Sequence, residues 1–199
     1  MIKYKFEQEE IDKCKKFSEE VDTSFYATRN QFNSEKRIKD SYIGKLGEVA
    51  VYQILKNKIK DITEPDFKIY KAKEKSWDFD LKSTDINLHV KTQDLKVGEK
   101  YGVSWIFQFG DGKSRSYDKE IFDRTSPNQY VAFVSLDLTT LEATVRAMVT
   151  LDFLHDKKIW AAPKLDKLKI ANKLAVYLKD LEKYPEELNI FKIQQNEQE

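Results

Sequence analysis

The run Tyr130-Val-Ala-Phe-Val-Ser-Leu136 constrains the fold of this chain more than any other segment. It is nearly continuous in apolar residues, and a strand of that kind needs cover on both faces. The expected place for it is the deepest position of a sheet wrapped by helices. The flanking sequence supplies such parts. Residues 6 to 31 predict a long helix, with Ile11, Cys14, Phe17, Val21 and Phe25 repeating at three and four, and a second helix is expected over residues 38 to 58. Extended patterns follow at Phe67 to Lys71, Trp77 to Lys82, Leu88 to Thr92 and Gly102 to Phe109, then at Tyr130 to Asp137 and Ala143 to Val149. Leu151 to Leu154 and Leu165 to Leu181 read as helical, the latter through a stripe of Leu168, Ala171, Leu174, Ala175 and Leu178. The polar tail Gln194 to Glu199 is expected to fray. The expected fold class is α/β (α+β), a central mixed β-sheet flanked by helices.

With 199 residues, 40% of them hydrophobic, the chain is long enough for one domain with a real core. Four prolines and six glycines argue against a linker-rich or disordered chain, and neither a repeat nor a low-complexity tract is visible. The formal net charge is +1, so nucleic acid would have to be held by local patches and not by bulk electrostatics. The single Cys14 excludes an intramolecular disulfide and reads as a partly buried helix residue. Cysteine and histidine form no cluster with zinc-ligand spacing. No apolar run approaches the roughly 18 to 20 residues of a membrane span, and the start Met-Ile-Lys-Tyr-Lys-Phe does not resemble a signal peptide. A soluble protein of the cytoplasm, without membrane contact, is expected.

Residues 44 to 93 carry the chemistry. Gly44-Lys-Leu-Gly-Glu48 opens a helical pattern, and Trp77-Asp-Phe-Asp80 and His89-Val-Lys-Thr-Gln93 follow as short strand patterns. Read as extended chain, Asp78 and Asp80 share one face and Trp77, Phe79 and Leu81 the other. The next strand divides in the same way, with His89, Lys91 and Gln93 opposite Leu88, Val90 and Thr92. A turn through Asp85 and Asn87 would make a hairpin and bring His89 and Lys91 beside Asp78 or Asp80. Carboxylates that hold a divalent cation, with a cationic group near the attacking water, are what hydrolysis of a phosphodiester requires. Each residue also has a plainer reading. Glu48 lies well off the centre of the stripe Ile43, Leu46, Gly47, Ala50 and Ile54, as a solvated helix residue would, and the aspartates and Lys91 suit an ordinary edge strand. Order, spacing and matching faces together favour the functional reading.

On these residues the chain resembles the PD-(D/E)XK nuclease superfamily, which includes type II restriction endonucleases and Holliday-junction resolvases. The resemblance implies a restriction-endonuclease-like core and a site built around one or two magnesium ions. Glu48 matches the family's helical glutamate, Asp78 or Asp80 its strand aspartate, Lys91 its lysine and Gln93 a glutamine often found two residues on. Position 89 departs from the pattern, with His where the family usually has Glu, Asp or Gln, and magnesium prefers hard oxygen ligands to imidazole. The resemblance implies that Asp78, Asp80 and Glu48 hold Mg2+, with Mn2+ as a substitute, while Lys91 activates water and His89 and Gln93 complete the site. It also implies a DNA endonuclease, foremost a type II restriction enzyme acting on double-stranded DNA as a homodimer. The alternatives are a resolvase or repair nuclease of the same fold, or an inactive nucleic-acid-binding protein.

A single nuclease domain over 1–199 is expected, with a helical N-terminal extension over 1–40, a catalytic core over 41–150 and C-terminal helices over 151–199. Donor-rich side chains before the core, Arg29, Asn30, Lys36 and Arg37 among them, suit base edges in a major groove, although a solvated helix connection reads equally well. The loop after Gly110-Asp-Gly112 adds Lys113 and Arg115, where glycines allow backbone to approach phosphate.

Overall fold

The computed structural model describes residues 1–25, 33–70, 79–108, 128–170 and 173–188. Strand β1 (Ile2–Lys5) leads into helix α1 (Gln8–Phe25), and helix α2 (Ser34–Leu55) follows. The hairpin strands β2 (Leu81–Lys82) and β3 (Asn87–Asp94) come next, then helix α3 (Leu95–Tyr101) and strand β4 (Ser104–Gln108). Strands β5 (Gln129–Asp137) and β6 (Glu142–Thr150) form a second hairpin. The remaining elements are α4 (Leu151–Asp156), α5 (Asp166–Ile170), β7 (Lys173–Tyr177), α6 (Leu178–Leu181) and a 3-10 turn over Pro185–Leu188.

The architecture is mixed α/β. Five strands make one sheet in the order β1-β6-β5-β3-β2, and β4 pairs with β7 in a second, two-stranded sheet. The pair β3 and β5 is parallel, while β2–β3, β5–β6 and β1–β6 are antiparallel. As the apolar run requires, β5 is the central strand and its residues from Val131 to Leu136 are buried. Its side chains alternate between two cores. Ala132, Val134 and Leu136 join Cys14, Leu46, Ala50 and Leu88 under the helices, while Val131 and Phe133 join Trp105, Phe107 and Val176 beneath the small sheet. Burying a Leu, Val or Phe side chain contributes about 1.5–3 kcal/mol, so cover on both faces is what holds β5 in place.

Several boundaries differ from the sequence-based expectation. The segment 165–181 is not one helix, because Lys173–Tyr177 pairs antiparallel with β4, setting Val176 against Trp105 and Leu174 against Phe107. The region 151–199 is therefore not purely helical. Nor is 1–40, since β1 closes one edge of the main sheet. Helix α2 starts at Ser34, earlier than expected, because the Asn33 side chain accepts a hydrogen bond from the Lys36 N–H and caps it. Residues 67–70 are not in a strand, and of the pattern 77–82 only Leu81 and Lys82 pair with a neighbour. Trp77, Asp78 and Lys71 lie outside the described residues.

Candidate functional site

Helix α2 crosses the face of β3 that carries Leu88, Val90 and Thr92, and it does so at very close range. Gly47 permits this approach by having no side chain, since a Cβ there would meet the Thr92 hydroxyl. Lys45 and Glu48 flank this contact along the helix.

The Lys45 ammonium donates to Glu48 Oε2 at 2.5 Å and to the Asp66 carbonyl oxygen at 2.8 Å. Its Nζ also lies 4.7 Å from the Phe17 ring centre and 5.3 Å from that of Phe67. Those two rings meet edge to face at 5.5 Å. The ion pair is withdrawn from water, with the side chains of Lys45 and Glu48 only 9% and 15% exposed. Glu48 is thus not the solvated helix residue that its place on the helical wheel allowed.

Asp80 sits just beyond the last β2–β3 pair, Leu81 with Leu88. Its Oδ2 accepts from the Val90 N–H at 2.7 Å, and its own N–H donates to the Leu88 carbonyl at 3.1 Å. The side chain therefore caps the edge of β3 where β2 has ended. Burial pushes the Glu48 carboxyl up to about 8, and the charge of Asp80 pushes in the same direction. Lys45 opposes this shift through its charge and hydrogen bond, and Asp66 adds to it. Glu48, Asp80 and Asp66 consequently share one field, with the Lys45 ammonium inside it.

The other expected residues lie elsewhere on β3. His89 and Lys91 are register neighbours of Val131 and Phe133, on the face turned toward the small sheet. The His89 ring lies 4.8 Å from that of Phe79, and Lys91 Nζ lies 4.9 Å from the centre of the Phe107 ring. Gln93 uses its Oε1 to accept the Ser104 N–H at 2.8 Å, joining β3 to the start of β4. The structure thus groups Glu48 with Asp80 and sets His89, Lys91 and Gln93 on the opposite side of the strand. Asp78 lies outside the described residues, as do Arg29, Asn30, Lys113 and Arg115. Lys36 is exposed in the first turn of α2 and pairs with Asp40, and Arg37 beside it is half-buried.

Among the described residues, no group of three or more His, Cys, Asp and Glu is placed to hold a metal ion. The donor chemistry of Glu48 and Asp80 nevertheless fits magnesium, which is commonly bound through one or two carboxylates and keeps several waters. A cation bound beside Glu48 would offset the burial and the neighbouring Asp80 charge that both raise its carboxyl. Sequence reasoning passed over Lys45 and Asp66. Lys45 stood inside the Gly44–Glu48 motif, but nothing local to it shows that Phe17 and Phe67 close over its ammonium.

Fold and site together define a mixed α/β protein in which one helix delivers a buried acid–lysine pair to the edge of a five-stranded sheet. No helix among the described residues is long and apolar enough to cross a membrane. Comparison with family models, with curated proteins and with solved structures gives no match.

Proposed function

We propose that this chain is a divalent-metal-dependent DNA endonuclease of the PD-(D/E)XK kind, most specifically a site-specific restriction-type enzyme. The observation that carries the reading is the buried Glu48 carboxyl on α2, next to the Gly47–Thr92 contact with β3, together with Asp80 capping the edge of that strand at the Val90 N–H. Glu48, Asp80 and Asp78 would hold Mg2+, or Mn2+ in its place. A cation bound there supplies Lewis-acid polarisation of the scissile phosphate and a more acidic water. Asp80 is held for this task by the Val90 N–H, which fixes its carboxylate next to the backbone of His89 and Lys91.

Among the described residues β2 pairs with β3 only at Asn87 and Leu88, so β2 does not flank β3 from Val90 onward. A phosphate at that edge meets side chains from both faces of β3. Lys91, on its flexible four-carbon stem, would orient the water and balance the developing negative charge. Lys36 and Arg37 at the start of α2, with Arg29, Asn30, Lys113 and Arg115, would contact double-stranded DNA. A homodimer follows from cutting both strands of a palindrome, which requires two sites related by a two-fold axis. A cytoplasmic location accompanies this reading.

The separation of Lys91 from Glu48 by the plane of β3 favours a second reading, nucleic-acid binding without cleavage. Incubation of the protein with plasmid and phage DNA in Mg2+, in Mn2+ and in chelator separates the two. Discrete metal-dependent fragments, lost in Lys91→Ala and Asp78→Ala variants that still fold, are the expected result. Cleavage that survives both substitutions sinks the assignment, and metal-independent binding of intact DNA selects the second reading.

A further inference from the structure

We propose that Lys45 is a resident counter-ion, holding at Glu48 the place that a divalent cation takes when the site is loaded, and that loading expels its ammonium from the Phe17–Phe67 cage. The inference rests on the reading of Glu48 and Asp80 as a cation site.

Lysine is almost never withdrawn from water unless it is paired, and here the pairing is complete enough to identify what the ammonium does. One N–H goes to Glu48 Oε2 and another to the Asp66 carbonyl, while two aromatic rings flank the charge. The partner oxygen belongs to Glu48, whose carboxyl is raised by burial and by the charges of Asp80 and Asp66, and the Lys45 ammonium is the group that opposes them. A divalent cation brought to the same oxygen would duplicate that charge a few ångströms away. The two cations repel, and the ammonium is the one attached to a flexible stem that can swing outward without backbone movement. Lys45 therefore offsets the charge at these acids and sets a threshold for cation entry.

The test uses the full chain and needs no nuclease assay. Wild-type protein is labelled with a limiting amount of acetic anhydride, with and without saturating Mn2+, and labelling of each lysine is read by peptide mass spectrometry. A thermal melt run in parallel reports whether Mn2+ binds. Lys45 is expected to be protected without metal and to label several-fold faster with it, while exposed Lys3 and Lys16 are unchanged. Lys45→Met, which keeps an apolar stem against Phe17 and Phe67, is expected to bind Mn2+ on the order of tenfold more tightly, as removal of a nearby like charge dictates. If Lys45→Met does not fold, the labelling of wild-type protein decides alone. Thermal stabilisation by Mn2+ with unchanged Lys45 labelling overturns the counter-ion role and leaves the cation site standing. No stabilisation at any Mn2+ concentration overturns both.

Discussion

A methyl group on Gly47 would fall 1.8 Å from the Thr92 Oγ1 and 2.9 Å from the Thr92 Cβ, so helix α2 can lie on β3 only where position 47 lacks a side chain. Forced overpacking of this kind costs about 1–3 kcal/mol. Gly47→Ala is expected to fall at the upper end, because α2 must lift or β3 must shift. The Thr92 hydroxyl is buried and has no hydrogen-bond partner among the described residues, so Thr92→Ala forfeits no bond. Adding Thr92→Ala to Gly47→Ala should recover part of the loss. Urea midpoints of the two single variants and the double variant measure this, and purely additive losses would refute the contact.

Stability should fall with rising pH across the range in which Glu48 loses its proton. The folded carboxyl titrates at about 8, against an ordinary value of 4.5. Between those values the folded chain binds more protons at this site than the unfolded chain does, so the contribution is intact below 4.5 and is lost as pH rises through 8. Glu48→Gln has no proton to lose. Denaturation midpoints at pH 5 and pH 8.5 should therefore differ less in Glu48→Gln than in the wild type. Equal differences would show that Glu48 titrates normally.

Gln93 separates a structural role from a catalytic one. Its Oε1 takes the Ser104 N–H, and leaving that donor unpaired costs about 1–3 kcal/mol. Gln93→Ala should lose stability on that scale, whereas Gln93→Glu retains an acceptor and should unfold close to the wild-type midpoint. A fully stable Gln93→Ala variant would remove the structural role.

Trp105 offers a measurement in the second core. Its indole N–H donates to the Val134 carbonyl at 2.8 Å, next to the register shift between Phe133 and Val134. Trp105→Phe deletes this bond in a residue that is 2% exposed, and a loss of about 1–3 kcal/mol is expected from the lost bond together with the lost volume. Guanidinium unfolding followed by circular dichroism tests it.

Elements whose pattern and environment agree were legible from the sequence. The apolar run in β5 demanded two covered faces, and the alternation of β3 separated Leu88 and Val90 from His89 and Lys91 before any partner was known. Strand β7 was not legible as a strand, because Leu174 and Ala175 continue a helical stripe begun at Leu168 and only pairing with β4 selects the extended form. Strand β1 does alternate, half-buried against exposed, but four residues give too short a sample to establish a period. The candidate site divided along the same line. Glu48 and Asp80 could be named from residue type and order, while the burial of Lys45 depends on rings brought from positions 17 and 67.

The pairing of β1 with β6 also governs the order in which this chain can be assembled. Ile2 lies opposite Val145 and Lys5 opposite Glu142, so the outermost strand waits for a partner almost three-quarters of the chain downstream. During synthesis the two long helices emerge while the strand that must receive β1 has yet to be translated. Local helix contacts form before such distant pairings, whose loop-closure cost falls late. A nascent chain stalled before residue 142 would present an unfinished sheet edge to chaperones and to other ribosome-bound copies. Emergence of β6, rather than of the first helices, is then the event that closes this edge of the sheet.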